Sequence, residues 1–159
     1  MLRKVKSGLR RTKARFAIVA SLYNARYVDT MVRAAKARLK HADAKQITVI
    51  RVPGAFEIPG VAAALAARER ESRPDAILCF GVIFQGQTSH AQHIGWGVTH
   101  ALAQIQTQHR LPVIHAVFVF EKEEHARVRC LGRKHNRGTE AAQTALAMTE
   151  VFAKLNSQP

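Results

Sequence analysis

A chain of 159 residues, 47% of them hydrophobic, is long enough for one domain with a two- or three-layer core. Its apolar runs break at Gly, Gln or a charge well short of the ~18 residues of a membrane span. The basic start lacks the apolar core and cleavage site of a secretory signal, and Cys79 and Cys130 give neither a metal spacing nor a disulfide framework, so a cytoplasmic location is expected.

The net charge of +14 raises nucleic acid as a partner class. Seven basic residues (Arg3, Lys4, Lys6, Arg10, Arg11, Lys13, Arg15) fall in the first fifteen positions with no acid among them, and without them the charge is +7. Residues 1–14 are read as a basic arm and residues 15–159 as one domain. Such an arm is either a solvated tail, a holder of polyanions by nonspecific adhesion, or a segment that pairs with a neighbouring subunit. It carries no interleaved aromatic residue for base stacking, and residues 2–5 are the part able to add a strand.

Arg15 to Ser21 is a near-continuous apolar run, the pattern of a parallel strand covered on both faces, and Tyr23-Asn24 follows at its carboxyl end. Val28, Val32, Ala35 and Leu39 recur at helical spacing, and Gln46 to Val52 is a second, β-branched strand. Pro53-Gly54 ends it, and an Ala-rich helix is expected from about Gly60 to Glu71. Glu57, in an apolar setting, either caps a helix or holds a ligand.

The apolar run Ala76 to Phe80 leads into Gly81-Val82-Ile83-Phe84-Gln85-Gly86-Gln87-Thr88-Ser89-His90, and a helix with Ile94, Val98, Leu102 and Ile105 leads away. Strand, polar loop and helix start in that order expose backbone N–H groups where an anion fits. Thr88 and Ser89 add hydroxyls, and His90 adds a group that titrates near neutrality, so the loop reads as a phosphate seat with an acid/base beside it, or as ordinary N-cap chemistry. Val113 to Phe120 is the fourth strand. Lys122 to Arg129 is a short helix, Cys130 to His135 a polar link in a basic loop, and Asn136-Arg137-Gly138 a turn before a last helix with Ala141, Ala145, Met148, Phe152 and Leu155 on one face. Arg127, Arg129, Arg133, Lys134 and Arg137 form a second basic cluster near Asn136, able to face an anionic substrate. Alternation of strands and helices predicts an α/β fold, a parallel sheet with helices on both faces and function gathered at the strand-end loops.

Val52-Pro53-Gly54-Ala55-Phe56-Glu57-Ile58-Pro59, the stretch Gly81-Val82-Ile83 with Gly86, Thr88 and His90, and Glu140-Ala141-Ala142 after Asn136-Arg137-Gly138 together resemble the lumazine synthase family, over nearly the whole span from Arg15 to Leu155. The resemblance implies a flavodoxin-like three-layer αβα sandwich around four parallel strands. It implies an enzyme of riboflavin biosynthesis that condenses 5-amino-6-ribitylaminouracil with 3,4-dihydroxy-2-butanone 4-phosphate, without metal or organic cofactor. By the same resemblance Gln87 and Thr88 hold the phosphate with Arg129, and His90 relays protons. Tyr23 stacks on the pyrimidine unless it is a core aromatic, Asn24 hydrogen-bonds the ligand, and Gly54, Ala55, Phe56 and Glu57, with Val82 and Ile83, surround the ribityl chain and ring. Arg137 stands where Lys is usual, Gln85 where Arg is common, and His115 where many members carry Phe; His115 either stacks on the ring or is a satisfied core histidine. The implied partners are the two small substrates, further copies of the chain in a pentamer, and riboflavin synthase. The short link at Cys130 to His135 leaves a sixty-subunit shell sterically allowed. A lumazine- or flavin-binding storage protein is the alternative of another class.

Overall fold

The computed structural model describes residues 11–157; the arm as far as Arg10, including the alternative strand at residues 2–5, lies outside them. Two runs buried along almost their whole length, β1 (Arg15–Ser21) and β3 (Ala76–Phe84), take the centre of a parallel sheet. A strand with helices over both faces needs apolar side chains on both. β2 (Gln46–Val52) pairs with β1 and β4 (Val113–Phe120) with β3, giving the order β2-β1-β3-β4. The edge strands show their position in partial exposure: β2 bares Gln46 and Thr48, and β4 bares His115 and Val119.

The period-2 geometry of the strands divides their side chains between two cores. Phe16, Ile18, Leu78 and Phe80 pack under α1 (Ala25–His41) and α5 (Arg137–Ser157). Ala17, Val19, Ile77 and Cys79 pack under α2 (Ile58–Ala66) and α3 (His90–His109). Full burial of each large side chain contributes about 1.5–3 kcal/mol. The fold is the α/β sandwich with a four-stranded parallel sheet expected from the alternation of elements. Its switch point lies between β1 and β3, where connections leave in opposite directions and a crevice opens at the carboxyl ends.

Four elements differ from the sequence expectation. β3 runs on through Gly81-Val82-Ile83-Phe84, pairing Gly81 with Val117 and Phe84 with Phe120, so the polar loop shrinks to residues 85–89. α2 begins at Ile58, because Pro59 in the first helical turn forfeits no hydrogen bond, and a 3-10 turn (Ala55–Glu57) precedes it. It ends at Ala66, since the charged run from Arg68 to Glu71 offers no apolar stripe to bury. The short helix α4 (Glu123–Ala126) passes directly into a π-helical turn (Arg127–Leu131) that buries Cys130 completely, so this cysteine is in the core and not in an open basic loop. Burial pushes its thiol up to about 11, against the pull of Arg137 and Arg129. Finally, α5 starts at Arg137: the buried Asn136 accepts the Gly138 N–H at 2.8 Å and donates its amide to the Cys130 carbonyl at 2.7 Å, joining the π turn to the helix start.

Candidate active site

Three loops meet at the carboxyl ends of β1, β2 and β3. The Leu22 N–H donates to the Val52 carbonyl at 2.8 Å and the Tyr23 N–H to the Pro53 carbonyl at 3.1 Å, binding the first loop to the second. Asn24 holds the first loop to β3. It adopts the left-handed conformation (φ 57°), which Asn tolerates better than most residues, and its Nδ2 donates to the Val82 carbonyl at 2.7 Å. One N–H of the Asn24 amide therefore works inside the protein, and its second N–H and Oδ1 are left for a ligand. Tyr23 is 69% exposed, which rejects the core-aromatic reading.

Gly54 fits between the Tyr23 ring and Glu57. A Cβ at this position would stand 2.9 Å from Glu57 Oε2 and 3.1 Å from Tyr23 Cδ2. The Gly54 N–H donates to that same Oε2 at 2.8 Å. Glu57 thus closes the 3-10 turn with one carboxylate oxygen, while its side chain stands on the cavity wall. Both readings of Glu57 stay in force, because a carboxylate has acceptor capacity for more than one partner.

The third loop is braced from within. Gln85 Nε2 donates to the Thr88 carbonyl at 2.7 Å and to the Gly86 carbonyl at 3.3 Å, and the Gln85 N–H donates to the Phe120 carbonyl at 2.8 Å. An arginine is not needed to hold this loop: a neutral amide spans it. Thr88 Oγ1 accepts the His90 N–H at 3.4 Å, which leaves the Thr88 O–H free to donate outward. Gln87, Thr88, Ser89 and His90 are all exposed at the start of α3. The positive end of the helix dipole lies there.

These loops enclose a cavity of about 680 Å³ whose walls include Tyr23, Asn24, Gly54, Ala55, Phe56, Glu57, Val82, Ile83 and His90. Sequence reasoning missed three further wall residues, Phe84, His93 and Ile94. His93 was legible as the residue three after His90 on a helix, hence on the same face, and its Nε2 lies 3.1 Å from Ser89 Oγ. Gln87 and Thr88 stand on the adjoining loop and do not line the cavity.

His115 and Arg137 are elsewhere, in a separate cavity of about 420 Å³ between β4 and α5 that Glu140 and Phe118 also line. Arg137 Nη1 donates to Glu140 Oε2 at 2.5 Å, and its guanidinium lies 5.9 Å from the Phe118 ring centroid. His115 is exposed on the edge strand and is no core histidine. Its Nδ1 accepts the Val117 N–H at 3.3 Å, which makes Nε2 the protonated nitrogen; Nε2 then donates to Thr99 Oγ1 at 2.7 Å, and Thr99 donates to the Gly95 carbonyl at 2.7 Å. Desolvation lowers the His115 pKa, and the chain of bonds suits the neutral ring. Arg129, exposed on the π turn, lines neither cavity.

A doubly wound α/β sheet with a ligand-sized cavity at its switch point, flanked by a helix start bearing two histidines, defines a protein of the flavodoxin-like class with its site at the strand carboxyl ends. Residues 13–153 match the family model described as 6,7-dimethyl-8-ribityllumazine synthase. The chain is 41% identical over 145 residues to the 6,7-dimethyl-8-ribityllumazine synthase of Stenotrophomonas maltophilia (strain R551-3), covering 89% of this chain and 91% of that protein. It is 37% identical over 149 residues to the protein of the same name from Xanthomonas euvesicatoria pv. vesicatoria (strain 85-10), covering 92% and 95%. The chain belongs to the 6,7-dimethyl-8-ribityllumazine synthase family.

Proposed function

We propose that the chain catalyses the condensation of 5-amino-6-ribitylaminouracil with 3,4-dihydroxy-2-butanone 4-phosphate to 6,7-dimethyl-8-ribityllumazine, releasing phosphate and water, in a site shared between neighbouring copies. One observation carries the reading. The residues assigned to the site divide between two separate cavities of one chain, Tyr23, Gly54 to Glu57, Val82 and His90 in one and His115 and Arg137 in the other. Two half-sites on one chain are complementary if the second half of a neighbour faces the first. Tyr23 stacks on the pyrimidine, Phe56 and Glu57 face the ribityl hydroxyls, and Asn24 uses its remaining amide N–H and Oδ1.

Phosphate is held by the N–H groups and hydroxyl at Gln87 and Thr88, with Arg129 of the neighbouring copy as the charged partner; a charge-assisted bond of this kind is worth about 1.5–3 kcal/mol. His90 takes and returns protons during imine formation and phosphate loss, a contribution of about 10²–10⁴-fold. Holding both substrates in one closed space supplies much of the rest. A pentamer is the assembly that closes the shared sites, and the short link before α5 leaves its association into a sixty-subunit shell open. The storage-protein alternative has no use for a proton-transferring group on the cavity wall and is not favoured.

The test is to mix the purified protein with both substrates and follow lumazine absorbance. Formation well above the uncatalysed rate is expected, and a rate equal to the background would reject the assignment.

A further inference from the structure

The amino ends of the strands, opposite the cavity of Tyr23 and His90, border a groove of about 710 Å³ that no part of the reaction uses. Its walls come from the segment leading into β1, from Pro74 before β3, from Pro112 before β4 and from the end of α5. Arg11, Lys13, Arg70, Arg73 and Arg110 surround it. Two carboxylates also reach it, and both are engaged: Asp75 Oδ2 accepts the Arg15 N–H at 2.7 Å, and Glu150 Oε1 accepts Lys154 Nζ at 2.8 Å. Arg11 pairs with Asp43, and Arg73 Nη1 donates to the His109 carbonyl at 3.4 Å. Among the described residues, Lys13, Arg70 and Arg110 have no side-chain hydrogen bond or ion pair.

Arg110 adds an independent observation. It ends α3 in the left-handed conformation, φ 50° and ψ 50°, where glycine is the usual occupant and a Cβ is strained. An arginine at that position costs the fold something that glycine would not. Its side chain lines the groove and, among the described residues, makes no hydrogen bond or ion pair that offsets the cost. Like charges gathered around one groove repel each other until an anion enters.

We propose that this groove seats the phosphate backbone of a nucleic acid. Four of its five cations are arginines, whose forked donors match phosphate oxygens. They are spread along an open groove too large for one phosphate ion, as a repeating polyanion requires. Among the described residues Phe152 is the only aromatic side chain on its walls, so the contact is with backbone and not with stacked bases, and it is independent of sequence. In the sequence, Arg3, Lys4, Lys6 and Arg10 precede Arg11 without an acid.

The test uses the full chain and a fluorescein-labelled mixed-sequence oligonucleotide, followed by anisotropy over a range of salt. The unmodified protein binds at low salt, and affinity falls steeply as salt rises. Arg110→Gly relieves the strained residue, so its thermal stability holds or rises while affinity falls. Lys13→Gln with Arg70→Gln lowers affinity several-fold and reduces the slope of log affinity against log salt by about two. Lumazine formation is unchanged in these variants. Arg33→Gln with Lys36→Gln, an equal charge change on α1, has a much smaller effect. Equal losses in both pairs would mean bulk charge and no groove. Loss only on deleting residues 1–10 would move the contact to the arm. Binding of poly-glutamate in preference to the oligonucleotide would make the groove a seat for an acidic protein. Each of these three results overturns the proposal.

Discussion

His90 and Gly54 stand on the same cavity wall but are expected to fail in different ways. His90→Ala should lower kcat by about 10²–10⁴-fold, while phosphate still inhibits competitively, because the loop N–H groups that hold the anion are untouched. Unchanged turnover would remove the imidazole from the reaction. Gly54→Ala inserts a methyl 2.9 Å from Glu57 Oε2 and 3.1 Å from the Tyr23 ring, so it should displace both and raise KM for the pyrimidine more than for the phosphorylated substrate. His115 leaves a signature in stability. Its pKa is lowered below the ordinary 6.5, so as pH falls the unfolded chain takes the proton first. The contribution of the neutral ring is whole above 6.5 and is lost as pH falls from there through the depressed folded value. Urea unfolding across that interval should show a steeper loss of stability in the unmodified protein than in His115→Gln. The exposed Tyr23 and the wall position of His90 were legible from strand ends and helix starts alone. The second duty of Asn24, its bond to the Val82 carbonyl, was not, because it joins residues far apart in sequence.

At the scale of elements, the alternation of strands and helices was plain in the hydrophobic periods, and the errors lie where local signals conflict. Gly81 reads as a break, yet the β-branched pair after it keeps the chain in the sheet as far as Phe84. The π turn was hidden because two arginines interrupt the apolar residues of Arg-Val-Arg-Cys-Leu, and only the packing shows that Cys130 is buried. Gly138 marks the closest approach of two elements: a Cβ there would lie 2.0 Å from the Met31 carbonyl oxygen of α1. Backbone cannot yield as a side-chain tip can. Gly138→Ala should therefore separate α1 from α5 and cost about 3 kcal/mol or more, read as a shift of the denaturation midpoint at unchanged slope. A shift within experimental scatter would show that the two helices slide apart freely.

For the whole molecule, the proposed shared site makes assembly a condition of activity. If the cavity of Tyr23 and His90 and the cavity of His115 and Arg137 are two halves of one site, as proposed, a single chain cannot complete either, and sedimentation velocity should find a pentamer or a larger assembly at every salt concentration where lumazine forms. An active monomer would end the shared-site reading. The separation of the two cavities on one chain has one more consequence. In the proposed pentamer, contacts that join unlike faces run head to tail around the ring, so every site would draw on two different chains in a fixed order. Two inactive variants should then rescue one another. In rings co-assembled from equal amounts of His90→Ala and Arg129→Ala chains, about a quarter of the junctions bring an unmodified His90 half against an unmodified Arg129 half, if neighbours are random. Activity should reappear on mixing unfolded chains and refolding them together, and should stay absent when each is refolded alone.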